Sequence, residues 1–106
     1  MANFLLVYTG GGMPSSDADR KQAMDAWGAW FGQLGDKIVD MGNPFTHEAK
    51  TISNGGSVQD GAVGTQATGY SIIKADSIKA AVELAKGCPV LHSGAKVTVY
   101  ETFPAM

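Results

Sequence analysis

The sequence predicts an α+β fold in which a four-stranded antiparallel sheet carries two helices on one face. An unbroken apolar run of β-forming residues opens the chain, and apolar residues at helical spacing follow it. A second strand–helix–strand set closes the chain. The predicted order is therefore β-α-β-β-α-β, the split order of ferredoxin-like domains. With 106 residues, we expect a single domain spanning residues 1–106.

The first strand is predicted over Asn3–Thr9. Phe4–Tyr8 is an apolar run without polar alternation, which is typical of a strand covered on both faces. The glycines and the proline between Gly10 and Pro14 end this strand. We expect Gly10–Gly12 to form a mobile loop that could cover a cleft.

A long first helix is predicted over residues 17–41, with Trp30 beside its apolar stripe. Its candidate N-caps are Ser15, Ser16 and Asp17. The stripe consists of Met24, Trp27, Phe31, Leu34, Ile38 and Met41. Gly28, Gly32 and Gly35 weaken a helix, which tolerates such residues where something approaches its backbone closely, so we expect this helix to lie on the sheet. Gly42 and Pro44 are predicted to end the helix.

The second half of the chain supplies two middle strands, a helix and a last strand. We predict strands over 45–53 and 66–75, separated by a turn at 54–57 and a weakly structured segment over 57–65. Asp76 is the expected cap of the second helix, which ends at Gly87 and Pro89. Its predicted buried positions are Ile78, Ala81, Val82 and Ala85. The last strand is predicted over 95–102.

This arrangement leaves one sheet face without helices. On the first strand, Leu5 and Val7 point away from Phe4, Leu6 and Tyr8, so both faces are apolar. An exposed apolar sheet face of several hundred Å² is unusual for a monomer. We therefore expect a homodimer in which two open sheet faces pack together with two-fold symmetry.

Composition excludes several classes of function. Eight basic and ten acidic residues give a net charge of −2, which provides no electrostatic footprint for nucleic acid or an anionic membrane. Cys88 is the only cysteine, and His47 and His92 lack metal-ligand spacing, so we expect no disulfide, metal or cofactor. No stretch has the length of a membrane span or the pattern of a signal peptide, which predicts a cytoplasmic protein.

The chain resembles the YCII-related family, and within it the DGPF branch, over nearly its whole length. The resemblance includes the opening strand, the tryptophan-bearing first helix, the Asp60-Gly61 turn, Gly69-Tyr70 and the segment Asp76–Pro89. Two features differ: Ala62-Val63 replace the Pro-Phe of the namesake turn, and the final strand lacks the charged Glu-Val-Arg pattern common in that branch.

The resemblance implies a dimeric α+β barrel with a small-molecule cleft between helix and sheet or at the dimer seam. Some relatives carry an Asp after the first strand and a His on the first helix, a pair that suggests acid–base chemistry. Here Gly10–Gly12 follow the strand and the helix carries Trp27 and Trp30 without a histidine, so that pair is not transferred.

His47, Asp60 and Tyr70 are the candidate catalytic residues. A histidine titrates near neutrality, but whether His47 faces a cleft depends on strand register. Asp60 precedes Gly61 in a dipeptide that also forms ordinary turns.

Trp27, Trp30 and Tyr8 are the candidate ligand-binding residues. Aromatic side chains with one polar atom line many small-molecule sites, and they also fill cores, which is the simpler interpretation for Trp27. Cys88 is interpreted as a buried structural thiol rather than a nucleophile.

Two functions fit these features. The first is a small-molecule enzyme, a lyase or cofactor-free oxygenase acting on an aromatic or planar metabolite. The alternative is a non-catalytic metabolite-binding or accessory module. A dimer without any ligand is a third possibility.

Overall fold

The computed structural model describes residues 1–11 and 16–105, so Ser15 and most of the predicted Gly10–Pro14 loop lie outside the described residues. The strands are β1 (Ala2–Thr9), β2 (Ile38–Asp40), β3 (Lys50–Ile52), β4 (Val58–Asp60), β5 (Ala67–Ala75) and β6 (Lys96–Glu101). The helices are α1 (Asp17–Leu34) and α2 (Ile78–Ala85), with short 3-10 helices at Gly35–Lys37 and Pro89–Ser93.

Four strands form one antiparallel sheet in the order β2-β5-β1-β6. The first and last long strands are neighbours, and the strand after the first helix is at the opposite edge, as the split β-α-β-β-α-β order requires. The predicted α+β fold is therefore confirmed. The shortest dimension of the molecule is 18 Å, the thickness of a sheet with one layer of helices.

Alternation along β1 separates the two sheet faces. Phe4, Leu6 and Tyr8 are buried beneath the helices, whereas Leu5 and Val7 lie on the opposite face and are partly exposed. Cross-strand register carries this division into both neighbours of β1. The buried core consists of Phe4, Leu6, Tyr8, Trp30, Leu34, Ile73, Ala75, Ala81, Ala85 and Cys88. We call the helix-free face, which includes Leu5, Val7, Tyr70, Ile72 and Tyr100, the open face.

The first helix is shorter than predicted. It begins after the N-cap Ser16, whose side chain accepts a hydrogen bond from the Asp19 N–H at 3.1 Å, as expected. It ends at Leu34 because Gly35 adopts a φ of +56° and its N–H donates to the Phe31 carbonyl. Ile38, predicted to be helical, instead pairs with Ile73 at the edge of the sheet.

The prediction for residues 45–53 is also wrong in part. The second strand of the main sheet is β2, at Ile38–Asp40, and only Lys50–Ile52 of the predicted segment is a strand. That strand pairs with β4, which lies in the segment predicted to be weakly structured, to form a separate hairpin. We call this hairpin, residues 50–60, the arm.

Two predictions about helix faces need correction. In α2, Ala81 and Ala85 are buried as expected, but Ile78 and Val82 are 47% and 37% exposed, and Ser77 rather than Asp76 caps the helix. The helix α1 lies on the sheet as expected, with Trp30 and Leu34 in the core, but not through a close approach at its glycines. Apart from chain neighbours and the helix's own backbone, no described atom lies within 4 Å of a Cβ position at Gly28, Gly32 or Gly35. Met24, on the predicted stripe, is 74% exposed.

Candidate functional site

Four aromatic rings meet where α1 packs on the end of β1. Trp27 lies edge-on to Tyr8, with 5.7 Å between ring centroids, and edge-on to Trp30 at the same distance. Phe31 completes the group, 5.6 Å from Trp27 and 5.4 Å from Trp30. Edge-to-face contacts of this kind stabilise beyond simple burial of area. We call Tyr8, Trp27, Trp30 and Phe31 the aromatic cluster.

Trp30 is the most deeply buried ring of α1 rather than a residue beside the stripe. It is 3% exposed, and its Nε1–H donates to the Leu84 carbonyl of α2 at 3.1 Å. Gly87 lies directly against the indole, since a Cβ there would be 3.1 Å from Cδ1. Trp30 therefore joins the two helices, while Trp27 is partly exposed at the edge of the cluster.

A short chain of hydrogen bonds runs beneath the cluster. The Tyr8 hydroxyl donates to Ser71 Oγ at 2.7 Å, and Ser71 Oγ donates to the Met41 carbonyl at 2.8 Å. Ser71 is 1% exposed, so both bonds lie in an environment where an unpaired polar group is costly. The chain connects β1, β5 and the turn after β2.

The titratable groups at this position are uncharged at neutral pH. Burial raises the pKa of Tyr8 well above its ordinary value of 10 and raises the pKa of the Cys88 thiol above its ordinary value of 9. Cys88 is fully buried, as expected, and a thiol with a raised pKa is a poor nucleophile. The seam between α1 and the sheet thus offers aromatic surface and neutral hydrogen-bonding groups.

Replacement of Ser71 by Ala tests this hydrogen-bond chain. The Tyr8 hydroxyl loses its acceptor and the Met41 carbonyl loses a donor, so we expect a loss of about 1–3 kcal/mol in the free energy of unfolding. Urea denaturation measures it. Tyr8→Phe removes the other partner, and the double variant should cost less than the two single losses together. Strict additivity would contradict the chain.

Tyr70, a predicted catalytic residue, lies on the open face, on the other side of the sheet from Tyr8. Its register partner is Val7, and its ring stacks on Phe45 with 5.8 Å between centroids. Its hydroxyl donates to Asp40 Oδ2 at 3.3 Å. Tyr70 is thus part of a phenol–carboxylate pair beside an aromatic ring.

The other two predicted catalytic residues belong to the arm and its base. His47 is exposed in the loop before β3, and its carbonyl accepts from the Gln66 side chain at 3.3 Å. Asp60 is exposed at the end of β4 and forms an ion pair with Lys50 across the hairpin. No described contact joins either residue to Tyr70.

The structure therefore brings the three predicted ligand-binding residues together. It places the three predicted catalytic residues apart, with Tyr70 on the open face and the other two at the arm and its base. The catalytic and binding roles themselves stay predictions. Sequence reasoning missed Ser71 and Phe31 as members of the site. Ser71 alternates in step with Gly69 and Ile73 on β5, a pattern that could have placed it on the helix face.

Two shallow cavities lie at the other end of the sheet from the aromatic cluster. The first, of about 270 Å³, is bordered by Met1, Lys37, Ala75, Asp76, Ala80, Glu83 and Leu84. The second lies between the start of β1 and the segment after β6. Neither is lined by a predicted site residue. Over residues 1–11 and 16–105, no group of three or more potential ligands is arranged to hold a metal ion. No helix of the described chain has the length and apolarity to cross a membrane.

Comparison with known proteins gives a structural likeness. No family model and no curated protein sequence matches the chain. Among solved structures, the fold is similar to that of 5-chloro-2-hydroxyhydroquinone dehydrochlorinase (TftG) from Burkholderia phenoliruptrix AC1100, determined in complex with 2,5-dihydroxybenzoquinone. The TM-score is 0.52 at 20% sequence identity, over 94% of this chain and 93% of that one. This likeness shows a shared fold.

Proposed function

We propose that this protein binds a planar aromatic metabolite at the helix–sheet seam, beside Trp27 and Tyr8. The observation that carries the proposal is the edge-to-face pair formed by partly exposed Trp27 and buried Tyr8. A flat ring entering beside Trp27 meets aromatic faces already fixed by Trp30 and Phe31. Binding sites for small molecules are lined mainly by apolar and aromatic side chains such as these.

The chemistry of the seam favours binding without turnover. Tyr8 and Cys88 are neutral, and Ser71 already makes two hydrogen bonds. General acid–base catalysis at neutral pH needs a group whose pKa lies near that pH. The aromatic cluster and its hydrogen-bond chain contain no such group.

Catalysis is the second candidate, and a different observation favours it. The Tyr70 hydroxyl and the Asp40 carboxylate form a hydrogen-bonded pair beside Phe45 on the open face. A carboxylate hydrogen-bonded to a phenol places a base beside an acid, an arrangement that proton transfer in a lyase can use. The solved structure of similar fold is, by name, a dehydrochlorinase of a hydroquinone. Tyr70 remains a predicted catalytic residue of this candidate, together with His47 and Asp60.

We further propose that the protein is a homodimer of the YCII-related type, with the open faces packed together. Leu5, Val7 and Ile72 form an apolar strip across the two central strands, and Tyr100 on β6 is 54% exposed. Packing of two such faces would remove this apolar surface from water.

Calorimetric titration with a panel of planar aromatics tests the binding site. 2,5-Dihydroxybenzoquinone, catechol and hydroquinone are suitable probes. We expect Trp27→Ala to weaken binding at least tenfold, because the exposed ring of the cluster is lost, and Met24→Ala to leave affinity unchanged. Met24 is the matched control because it lies on the same helix and is 74% exposed.

The same mixtures separate the two candidates. Recovery of the probe unchanged, as measured by mass spectrometry, supports binding alone. Conversion of the probe that is lost in Tyr70→Phe and Asp40→Asn supports catalysis at the open face. If Trp27→Ala and the unaltered protein bind the probes with equal affinity, the ligand does not bind at the seam.

A further inference from the structure

The arm carries its apolar side chains on one face. Ile52 and Val58 are directly opposed in the hairpin and are 72% and 62% exposed. Lys50 and Asp60, the pair at the other end of the ladder, lie on the same face. Thr51 and Gln59 occupy the other face. The arm therefore exposes one apolar pair near its turn, Ile52 and Val58, beside the Lys50–Asp60 ion pair on the same face.

The described contacts hold the arm mainly to itself. Its base is closed by a hydrogen bond from the Gly61 N–H to the Ala49 carbonyl at 2.8 Å and by Thr51 Oγ1 donating to the Gly61 carbonyl at 2.7 Å. All three residues of β4 are exposed. A two-stranded hairpin without further packing is at best marginally stable in water. Packing against a further surface would stabilise such an arm.

The chain exposes more surface than a compact monomer of its mass. The protomer exposes 7492 Å², whereas a monomeric protein of 11.0 kDa exposes about 5,600 Å². The difference is about 1,900 Å², and a stable interface buries about 800 Å² per partner. The radius of gyration, 15.2 Å, likewise exceeds the value of about 13 Å for a compact chain of this length. The excess surface is therefore large enough to include an interface with one partner copy.

The chain leaves the open face shortly before it enters the arm. Phe45, five residues before β3, stacks on Tyr70, which is an open-face residue of β5. Phe45 is itself 47% exposed. A second copy seated on the open face would therefore meet the arm as it leaves the sheet.

We propose that the arm of each protomer packs against a second copy of this chain, with Ile52 and Val58 buried in the contact. This proposal rests on the homodimer proposed above and extends its interface from the open face to the arm. The dimer contact then includes one element that folds fully only when the partner is present.

Hydrogen exchange at two protein concentrations tests the proposal on the unaltered chain. Amides of residues 50–60 should be protected in the dimer, and that protection should be lost on dilution in step with the fall in mass measured by light scattering. Exchange that is equally fast in dimer and monomer overturns the proposal. Protection that persists in the monomer also overturns it, since the arm would then be covered by its own chain.

Matched variants give a second readout. Ile52→Thr with Val58→Thr keeps β-branched side chains but removes apolar surface, so the dimer dissociation constant should rise at least tenfold. Gln59→Thr, on the other face of the arm, should change it by less than twofold. An unchanged dissociation constant in the double variant overturns the proposal.

These outcomes are distinguishable from failure of the proposed function. A dimer that forms with a freely exchanging arm overturns the arm contact and leaves the open-face dimer standing. A chain that is monomeric at every concentration overturns both. Neither result affects the titrations at Trp27, which probe the seam rather than the arm.

Discussion

Replacement of Gly42 by Ala is expected to reduce the free energy of unfolding by about 4 kcal/mol or more. Gly42 has a φ of +77°, and a Cβ there would lie far inside the van der Waals distance of the Tyr70 carbonyl oxygen. The obstacle is backbone within the sheet, so it cannot move aside as a flexible side chain could. Urea denaturation should show a lowered midpoint, or the variant should fail to fold.

Gly94 provides the matched control for this prediction. It has a similar φ of +83°, but apart from its chain neighbours no described atom lies within 4 Å of a Cβ at that position. Gly94→Ala should therefore cost only the conformational penalty, about 1–2 kcal/mol. Equal losses in the two variants would mean that the turn after β2 relaxes away from β5.

Truncation of Trp30 to Ala is expected to cost about 3–5 kcal/mol, the range for large aromatic residues removed from a core. Trp30 is 3% exposed and packs between α1, α2 and the rest of the aromatic cluster. The loss combines apolar burial, aromatic contacts and the hydrogen bond to the Leu84 carbonyl. For a domain of this size it corresponds to a fall of roughly 12 °C or more in the melting temperature.

Trp30→Phe separates the hydrogen bond from the packing. It keeps a buried ring and removes the Nε1 donor, so the expected loss is smaller, about 1–2 kcal/mol. Met24→Ala on the same helix should change stability by no more than about 0.5 kcal/mol, since Met24 is exposed. A Trp30→Ala variant as stable as Met24→Ala would show that Trp30 is not a core residue.

The long strands were predictable from sequence because each carries its own signal. The predicted strands at 3–9 and 66–75 are within one residue of β1 and β5, and the predicted strand at 95–102 brackets β6. Their apolar content is high and each is bounded by glycine or a helix cap. Two helices on one face followed from the order of elements, and that order is confirmed.

The second strand was not predictable by the same means. Ile38 and Met41 continue the three-and-four spacing of the helix, so periodicity alone extends α1 past its true end. The helix stops at Gly35, where a positive φ turns the chain. The strand that follows has only three residues and is held by its pairing with β5, a tertiary contact that local sequence does not contain.

Only part of the candidate site could be predicted from the sequence. Alternation puts Tyr8 on the same face of the first strand as Phe4 and Leu6, and helical spacing puts Trp27 on the apolar stripe. The structure brings Tyr8 and Trp27 together. Sequence alone did not show that Tyr70 lies on the opposite sheet face from Tyr8, because that depends on the register of β5 against β1.

The sequence placed Trp27 on the buried stripe and Trp30 beside it, whereas in the structure Trp30 is buried and Trp27 is partly exposed. The reason is that the buried side of α1 is centred on Trp30 and Leu34.

Cys88 makes the seam observable without any engineered label. It is the only thiol in the chain, and it is fully buried between Tyr8 and the end of α2. A thiol reagent reaches a buried thiol only through local or global opening, so the modification rate in the native protein reports how often the residues around Cys88 open. A ligand that binds beside Trp27 and stabilises the closed seam should slow the modification of Cys88. A ligand that separates the helix layer from the sheet should accelerate it. The modification rate of Cys88 thus reports local opening at the position where we expect a ligand to bind.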